Sequence, residues 1–142
     1  MSDLVEALLI ANSQFYRVLS LADTAAMRRL WLDAPQTSCI HPGWHTITGY
    51  EEIQQSWAAI FINQGPLRVW PSDEEISFEA DLIWVACIEN IDVSATAAGR
   101  IMQAQARNAF QKTEAGWKIV HHQATTLPGH GSRTTNQRLA NN

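Results

Sequence analysis

Closely spaced cysteines are missing from this chain. Cys39 and Cys87 are the only two in 142 residues. No CxxC pair exists to suggest a zinc ribbon or a dithiol redox centre, and both thiols are expected to be reduced and buried. No uninterrupted apolar run is long enough to cross a bilayer. Glu6 and Asn12 break the N-terminal apolar segment that a secretory signal would need, so a cytoplasmic location is expected. Basic charge is also in short supply. Ten Lys and Arg against fourteen Asp and Glu give a formal charge of -4, which provides no field for nucleic acid or an anionic membrane as partner. GxSxG, a P-loop, GxGxxG and HExxH do not occur, which weakens the hydrolase, nucleotide and zinc-protease readings built on them. His41 and His45 have the spacing of a helical metal pair, but Pro42-Gly43 between them forbids the helix. A metal site using His41, a later histidine and Glu89 has no spacing in its favour, and neither a metal nor a cofactor is expected.

What is present divides into two halves. Ser2 or Asp3 can cap a first helix whose apolar stripe is Leu4, Leu8, Ala11, Phe15 and Leu19. Asp23 can cap a second, Thr24 to Trp31, closed by Asp33-Ala34-Pro35. Thr37 to His41 reads as a short strand ending at Pro42-Gly43. Thr48 and Glu51 have capping-box spacing ahead of a third helix that buries Ile53, Trp57, Ile60 and Phe61 and stops at Asn63-Gln64-Gly65-Pro66. From Leu67 the period becomes two. Strands are expected at Leu67 to Phe78, Leu82 to Val93, Ile101 to Lys112 and Trp117 to Thr126. Helices first and a long meander afterwards predict an α+β domain over residues 1–127, with three helices on one face of a mainly antiparallel sheet. Residues 128–142 are polar, and composition predicts a flexible extension, with a partner subunit as the surface that would hold it.

Four places could carry chemistry. If Lys112 and Trp117 flank the last turn, Phe110 faces Ile119 and Asn108 faces His121 on the inner side of the sheet, while Arg107 and His122 face outward. A one-residue slip exchanges His121 for His122. Asn108 and His121 then either satisfy each other or line a pocket in which imidazole works as acid or base. His41, ahead of Pro42-Gly43-Trp44, suits a pocket mouth with an aromatic wall as well as it suits core packing. Glu89 lies in an apolar run. Burial would raise its pKa and make it a base, but an outward position or a pair with Arg107 or Arg100 is the favoured reading. Asp73, Glu74 and Glu75 read as a solvated turn. Six tryptophans are many for this length, and core packing explains most of them.

Taken together, Phe15-Tyr16, the Asp23 to Trp31 helix, Cys39-Ile40-His41-Pro42-Gly43-Trp44, Gly49 with Ser56-Trp57, and Gly116-Trp117-Lys118-Ile119-Val120-His121-His122 resemble the SnoaL-like branch of the nuclear transport factor 2-like superfamily. The resemblance implies a cone-shaped half-barrel, a pocket at its wide end and a homodimer through the outer sheet face. It does not imply one activity, because isomerases, cyclases, dehydratases, epoxide hydrolases, noncatalytic binders and a kinase association domain share the fold. The Asp or Tyr-Asp arrangement of the ketosteroid isomerase-like branch is not recognisable. The expected function is a pocket for a small, partly apolar molecule lined by Tyr16, Trp31, Trp44, Trp57, Glu89, Asn108 and His121. Proton transfer by His121 or His41, of isomerase, cyclase or hydrolase type, is its cheapest chemistry. The alternative is a dimeric interaction module whose pocket does no chemistry.

Overall fold

The computed structural model describes residues 2–93 and 100–128, so nearly all of the extension at 128–142 lies outside the described residues. Helix α1 is Ser2–Leu21 and α2 is Thr24–Leu30. Strand β1 is Ser38–Ile40, β2 is Ile47–Thr48, and α3 is Tyr50–Gln64. The strands β3 (Arg68–Glu79), β4 (Leu82–Asp92), β5 (Ile101–Thr113) and β6 (Gly116–Thr126) follow. They form one open sheet in the order β2-β1-β6-β5-β4-β3, in which β1 and β6 run parallel and every other neighbouring pair is antiparallel. The α+β architecture expected from the change of period is the one found. No helix among the described residues is long and apolar enough to cross a membrane.

The three helices cover one face of this sheet. Leu8, Phe15 and Leu19 of α1 and Ile53, Trp57 and Phe61 of α3 are buried against Val85, Ala104, Ala106, Phe110, Ile119 and Ala124. Several of these sheet residues are alanines, which leave the volume that the large helix side chains fill. At the end of α1, Ser20 accepts from the Val69 N–H at 2.9 Å, and Leu67 N–H donates to the Ser20 carbonyl at 3.0 Å, so the helix is fastened to the edge strand β3. Asp23 caps α2 as its sequence predicts, accepting from Ala26 N–H at 3.0 Å. Trp31 leaves that helix extended and bridges in parallel to Ile119.

The capping box expected of Thr48 and Glu51 does not form. Thr48 is held in β2 opposite Ser38, so Gly49 is the N-cap, at φ 99° and ψ 141°, and Glu51 pairs with Arg28 instead. That backbone conformation is open to glycine and strained for any residue with a Cβ. Two readings of the α3 start therefore make different predictions. Gly49→Ala should lower stability by about 1–3 kcal/mol in urea denaturation, whereas Thr48→Ala should leave it within about 0.5 kcal/mol. The reverse order would restore Thr48 as the cap.

Candidate functional site

The helix-covered face carries polar side chains where an apolar core would be expected. Tyr16, one turn after Asn12 on α1, donates its hydroxyl to Glu89 Oε2 on β4 at 2.7 Å. Glu89 is only 5% exposed. Asn108 Nδ2 on β5 donates to Tyr16 Oη at 3.1 Å and to Asn12 Oδ1 at 2.9 Å. Its Oδ1 lies 2.6 Å from Nδ1 of His122 on β6. Since both amide hydrogens of Asn108 are committed, its oxygen must accept, and His122 carries its proton on Nδ1. The unprotonated Nε2 then faces Glu89, 3.9 Å from Oε2.

His41, at the end of the β1 segment, reaches Ser56 of α3 through Nε2 at 2.8 Å. Ser56 donates its own hydrogen to the Ile53 carbonyl at 2.6 Å, so the serine accepts and His41 donates. Ser56 is thus a support for the ring and not a nucleophile awaiting a base. Trp57 and Trp44 meet the His41 ring edge-on, with centroids 4.5 and 4.8 Å away. Trp44 is 46% exposed.

Between these groups lies a cavity of about 290 Å³, lined on its polar side by His41, Glu89, His122 and Gln64 and elsewhere mainly by apolar side chains such as Leu19, Trp57, Val69 and Ile91. No Lys or Arg is among its lining residues. Among the described residues no three His, Cys, Asp or Glu side chains converge as a metal-ligand set.

Burial governs the protonation of the site. It pushes the Glu89 carboxyl up to about 7, partly countered by the Tyr16 hydrogen bond. It pushes His122 down to about 3, helped by the neighbouring histidines, and His41 down to about 4. The close approach of Glu89 and His122 is therefore not an ion pair. Below about pH 7 the pair holds its shared proton on the carboxyl, and the imidazole stays neutral. Burial likewise raises the Cys87 thiol to about 11 and moves Cys39 higher still, so both remain protonated and inert, as their sequence context predicts.

Four expectations about site residues change in the structure. His121 is not the inner histidine. The register is Phe110 opposite Ile119 as expected, but a bulge follows, leaving Val120 unpaired and setting His121 opposite Ala109 and His122 opposite Asn108. His121 lies on the outer face, bonded to Ser38 at 2.6 Å and Gln123 at 2.8 Å beside the Trp84 ring. Glu89 is not outward and has neither Arg107 nor Arg100 as its partner, and Arg107 pairs with Glu79 at 3.2 Å. Glu74 is not part of a solvated turn, because its Oε2 accepts from Asn12 at 2.8 Å. Trp31 is buried at the α2 end of the sheet and does not line this cavity. Of the remaining expected residues, His41, Trp44, Trp57 and Glu89 line the cavity, while Tyr16 and Asn108 stand behind its wall. Sequence reasoning missed Asn12, Ser56 and Gln64 as members of the site. A polar Asn12 inside the apolar stripe of α1 was the available signal.

The unusual carboxyl has a thermodynamic signature. Its pKa is raised from 4.5 to about 7 on folding. Between those values the folded chain holds a proton that the unfolded chain has released, so the stability this group contributes is full below about pH 4.5 and lost as pH rises through about 7. His41 and His122 act oppositely, since their lowered values add stability as pH rises towards 6.5. Glu89→Gln isolates the carboxyl. The stability of the parent relative to this variant should fall by on the order of 3 kcal/mol between pH 4.5 and 8 in denaturation curves, and parallel curves would refute the assignment.

The family model described as a SnoaL-like domain matches residues 8–128, from within α1 to just past β6. A structure from Streptomyces avermitilis, provisionally assigned as a dehydratase of the NTF2-like family, is 31% identical with a TM-score of 0.78, covering 89% of this chain and 97% of that one. One from Thiobacillus denitrificans, provisionally assigned as a calcium/calmodulin-dependent protein kinase type II association domain, shares the fold. It has a TM-score of 0.74 at 23% identity, over 82% of this chain and 92% of that one. The F-box protein SKIP8 of Arabidopsis thaliana is 25% identical over 121 residues, which are 85% of this chain and 50% of that protein, so the chain spans half the length of that relative. The match through every described element identifies the chain as a member of the SnoaL-like domain family in the nuclear transport factor 2-like superfamily.

Proposed function

We propose that the cavity binds an uncharged, partly apolar small molecule bearing a hydroxyl or similar donor, and that Glu89 exchanges a proton with it. The observation that carries this reading is the carboxyl held near neutrality at about 7 in a cavity without a cation among its lining residues. A group titrating near the working pH is the efficient one for general acid–base catalysis. On the cavity wall His122 contributes an acceptor, and below about pH 7 the Glu89 carboxyl contributes a donor. His122 Nε2 is unprotonated, and Tyr16 already spends its hydrogen on Glu89. A ligand hydroxyl can supply the donor that His122 Nε2 lacks, and an anion would enter a desolvated site with nothing to neutralise it. The provisional dehydratase assignment of the 31% identical relative agrees with hydroxyl chemistry of this kind. In such a reaction the carboxyl would protonate a leaving hydroxyl or take a proton from carbon, with His122 accepting a hydrogen bond from the bound molecule. The expected catalytic roles of His121 and His41 pass to Glu89 and His122 in this reading, and His41 becomes part of the wall.

A second reading concerns assembly. On the outer face the half-buried Trp84 ring is flanked by the Arg107 guanidinium at 4.3 Å and by the His121 ring at 5.5 Å. Trp and Arg are enriched at protein interfaces, and here they stand on an exposed sheet face, which favours a homodimer through that face. Dimer and pocket are compatible.

Both readings can be tested directly. Ring-bearing alcohols such as benzyl alcohol should raise the melting temperature more than the matching carboxylates such as benzoate. The alcohol effect should weaken in Glu89→Gln and persist in His121→Ala. Equal or better stabilisation by benzoate, or none by any alcohol, would count against the pocket reading. For the dimer, light scattering should give twice the chain mass, and Trp84→Ala should shift it towards the monomer. A parent protein that is monomeric at micromolar concentration would end that reading.

A further inference from the structure

Glu74 is the least expected participant in the polar core. It lies in a bulge of β3, where the regular pairing with β4 lapses between Ser72 and Glu75 and Asp73 takes the left-handed φ of 55°. Bulges re-aim side chains. This one sets the Glu74 carboxylate where Asn12 Nδ2 donates to it at 2.8 Å.

From that carboxylate the hydrogen bonds run in one direction. A carboxylate accepts and does not donate, so Asn12 must turn its NH₂ towards Glu74 and its oxygen inward. That oxygen takes the Asn108 amide hydrogen at 2.9 Å. Asn108 Oδ1 is left to accept from His122 Nδ1 at 2.6 Å. Both asparagines could rotate by half a turn about their terminal bonds and present a chain of opposite polarity. In that chain Asn108 would donate to Nδ1 and the His122 proton would move to Nε2, while Tyr16 could donate to Asn108 instead of Glu89. With its carboxyl protonated, as it is below about pH 7, Glu89 can donate to Tyr16 in turn, and the interior then satisfies either polarity. The acceptor-only end group is what separates them.

We propose that Glu74 is a positioning residue for His122, fixing it as the Nδ1–H tautomer through Asn12 and Asn108, so that the cavity meets a bare Nε2. The assignment of the tautomer stands on the hydrogen bonds alone. Its consequence for ligand binding rests on the proposed reading of the Glu89 and His122 cavity.

Nitrogen-15 NMR of the histidine rings tests this without a substrate, below pH 7 where Glu89 is protonated and His122 is neutral. In the parent, His122 should show a pyrrole-type Nδ1 and a pyridine-type Nε2. Glu74→Lys replaces an acceptor by a donor and should exchange the two signatures, whereas Glu74→Gln, whose carbonyl can still accept, should keep the parental pattern. The proposal is overturned by a folded Glu74→Lys protein in which His122 retains Nδ1–H. If the lysine variant does not fold, Glu74→Ala carries the test. Water at the chain end can donate or accept, so a mixture of tautomers is expected, and an unmixed Nδ1–H signal overturns the proposal just as firmly. Benzyl alcohol binding separates the two layers of argument. With the tautomer exchanged, its affinity should fall about tenfold, the equivalent of one lost hydrogen bond. An exchanged tautomer with unchanged affinity upholds the role of Glu74 and removes the binding role of His122.

Discussion

A carboxyl group buried under α1 sets the conditions for most of what surrounds it. Charge in a desolvated interior is costly, and no cation lines the cavity at Glu89 to offset it. The structure answers with a hydrogen bond from Tyr16 and a carboxyl held near neutrality. The same burial drives His41 and His122 down and Cys39 and Cys87 up, so the four neighbours stay neutral as well. Below about pH 7 polar chemistry is thereby placed around the cavity without fixed charge on its lining. That is a compromise between stability, which favours apolar packing, and a cavity wall that keeps a titratable carboxyl.

The polar groups also determine how α1 sits. Its apolar stripe of Leu8, Phe15 and Leu19 would tolerate small rotations or slides over the alanine-rich sheet, because dispersion contacts have little direction. Asn12 and Tyr16 are one turn apart and reach partners on β3, β4 and β5. Hydrogen bonds fail steeply with angle, so these two side chains fix the rotation of the helix that the apolar face leaves loose. Ser20, another turn on, fastens the end of the same helix to Val69.

The regular parts of this fold were legible in the sequence because their signals are local. The stripes of α1 and α3, the Asp23 cap and the alternation along β3 to β6 each depend on a few neighbouring residues, and each appears within a residue or two of the expected place. The chemistry at Glu89 was harder to read. Nothing adjacent in sequence reveals that Tyr16, 73 positions away, will receive the carboxyl, so a surface ion pair looked more economical than a buried acid. The same distance hid Asn12, whose partners Glu74 and Asn108 come from two different strands. Gly49 displaced Thr48 as a cap for a related reason, since β2 claims Thr48 only once β1 lies beside it.

The two largest departures share one cause. Between Ser72 and Glu75 a bulge turns Glu74 inward, and at Val120 another reverses which of two adjacent histidines meets the core. Alternation predicts facing correctly only while the ladder is unbroken, and one extra residue inverts everything beyond it. His121 and His122 therefore occupy different environments, one beside Trp84 and Ser38 on the outer face and the other, almost fully buried, against Asn108 and Glu89. Both irregularities end on the same hydrogen-bond chain, one at its carboxylate and the other at its imidazole. Regular pattern builds the sheet on which the site stands. The breaks in that pattern select Glu74 and His122, which is why periodicity gives the scaffold but not the facing of these two side chains.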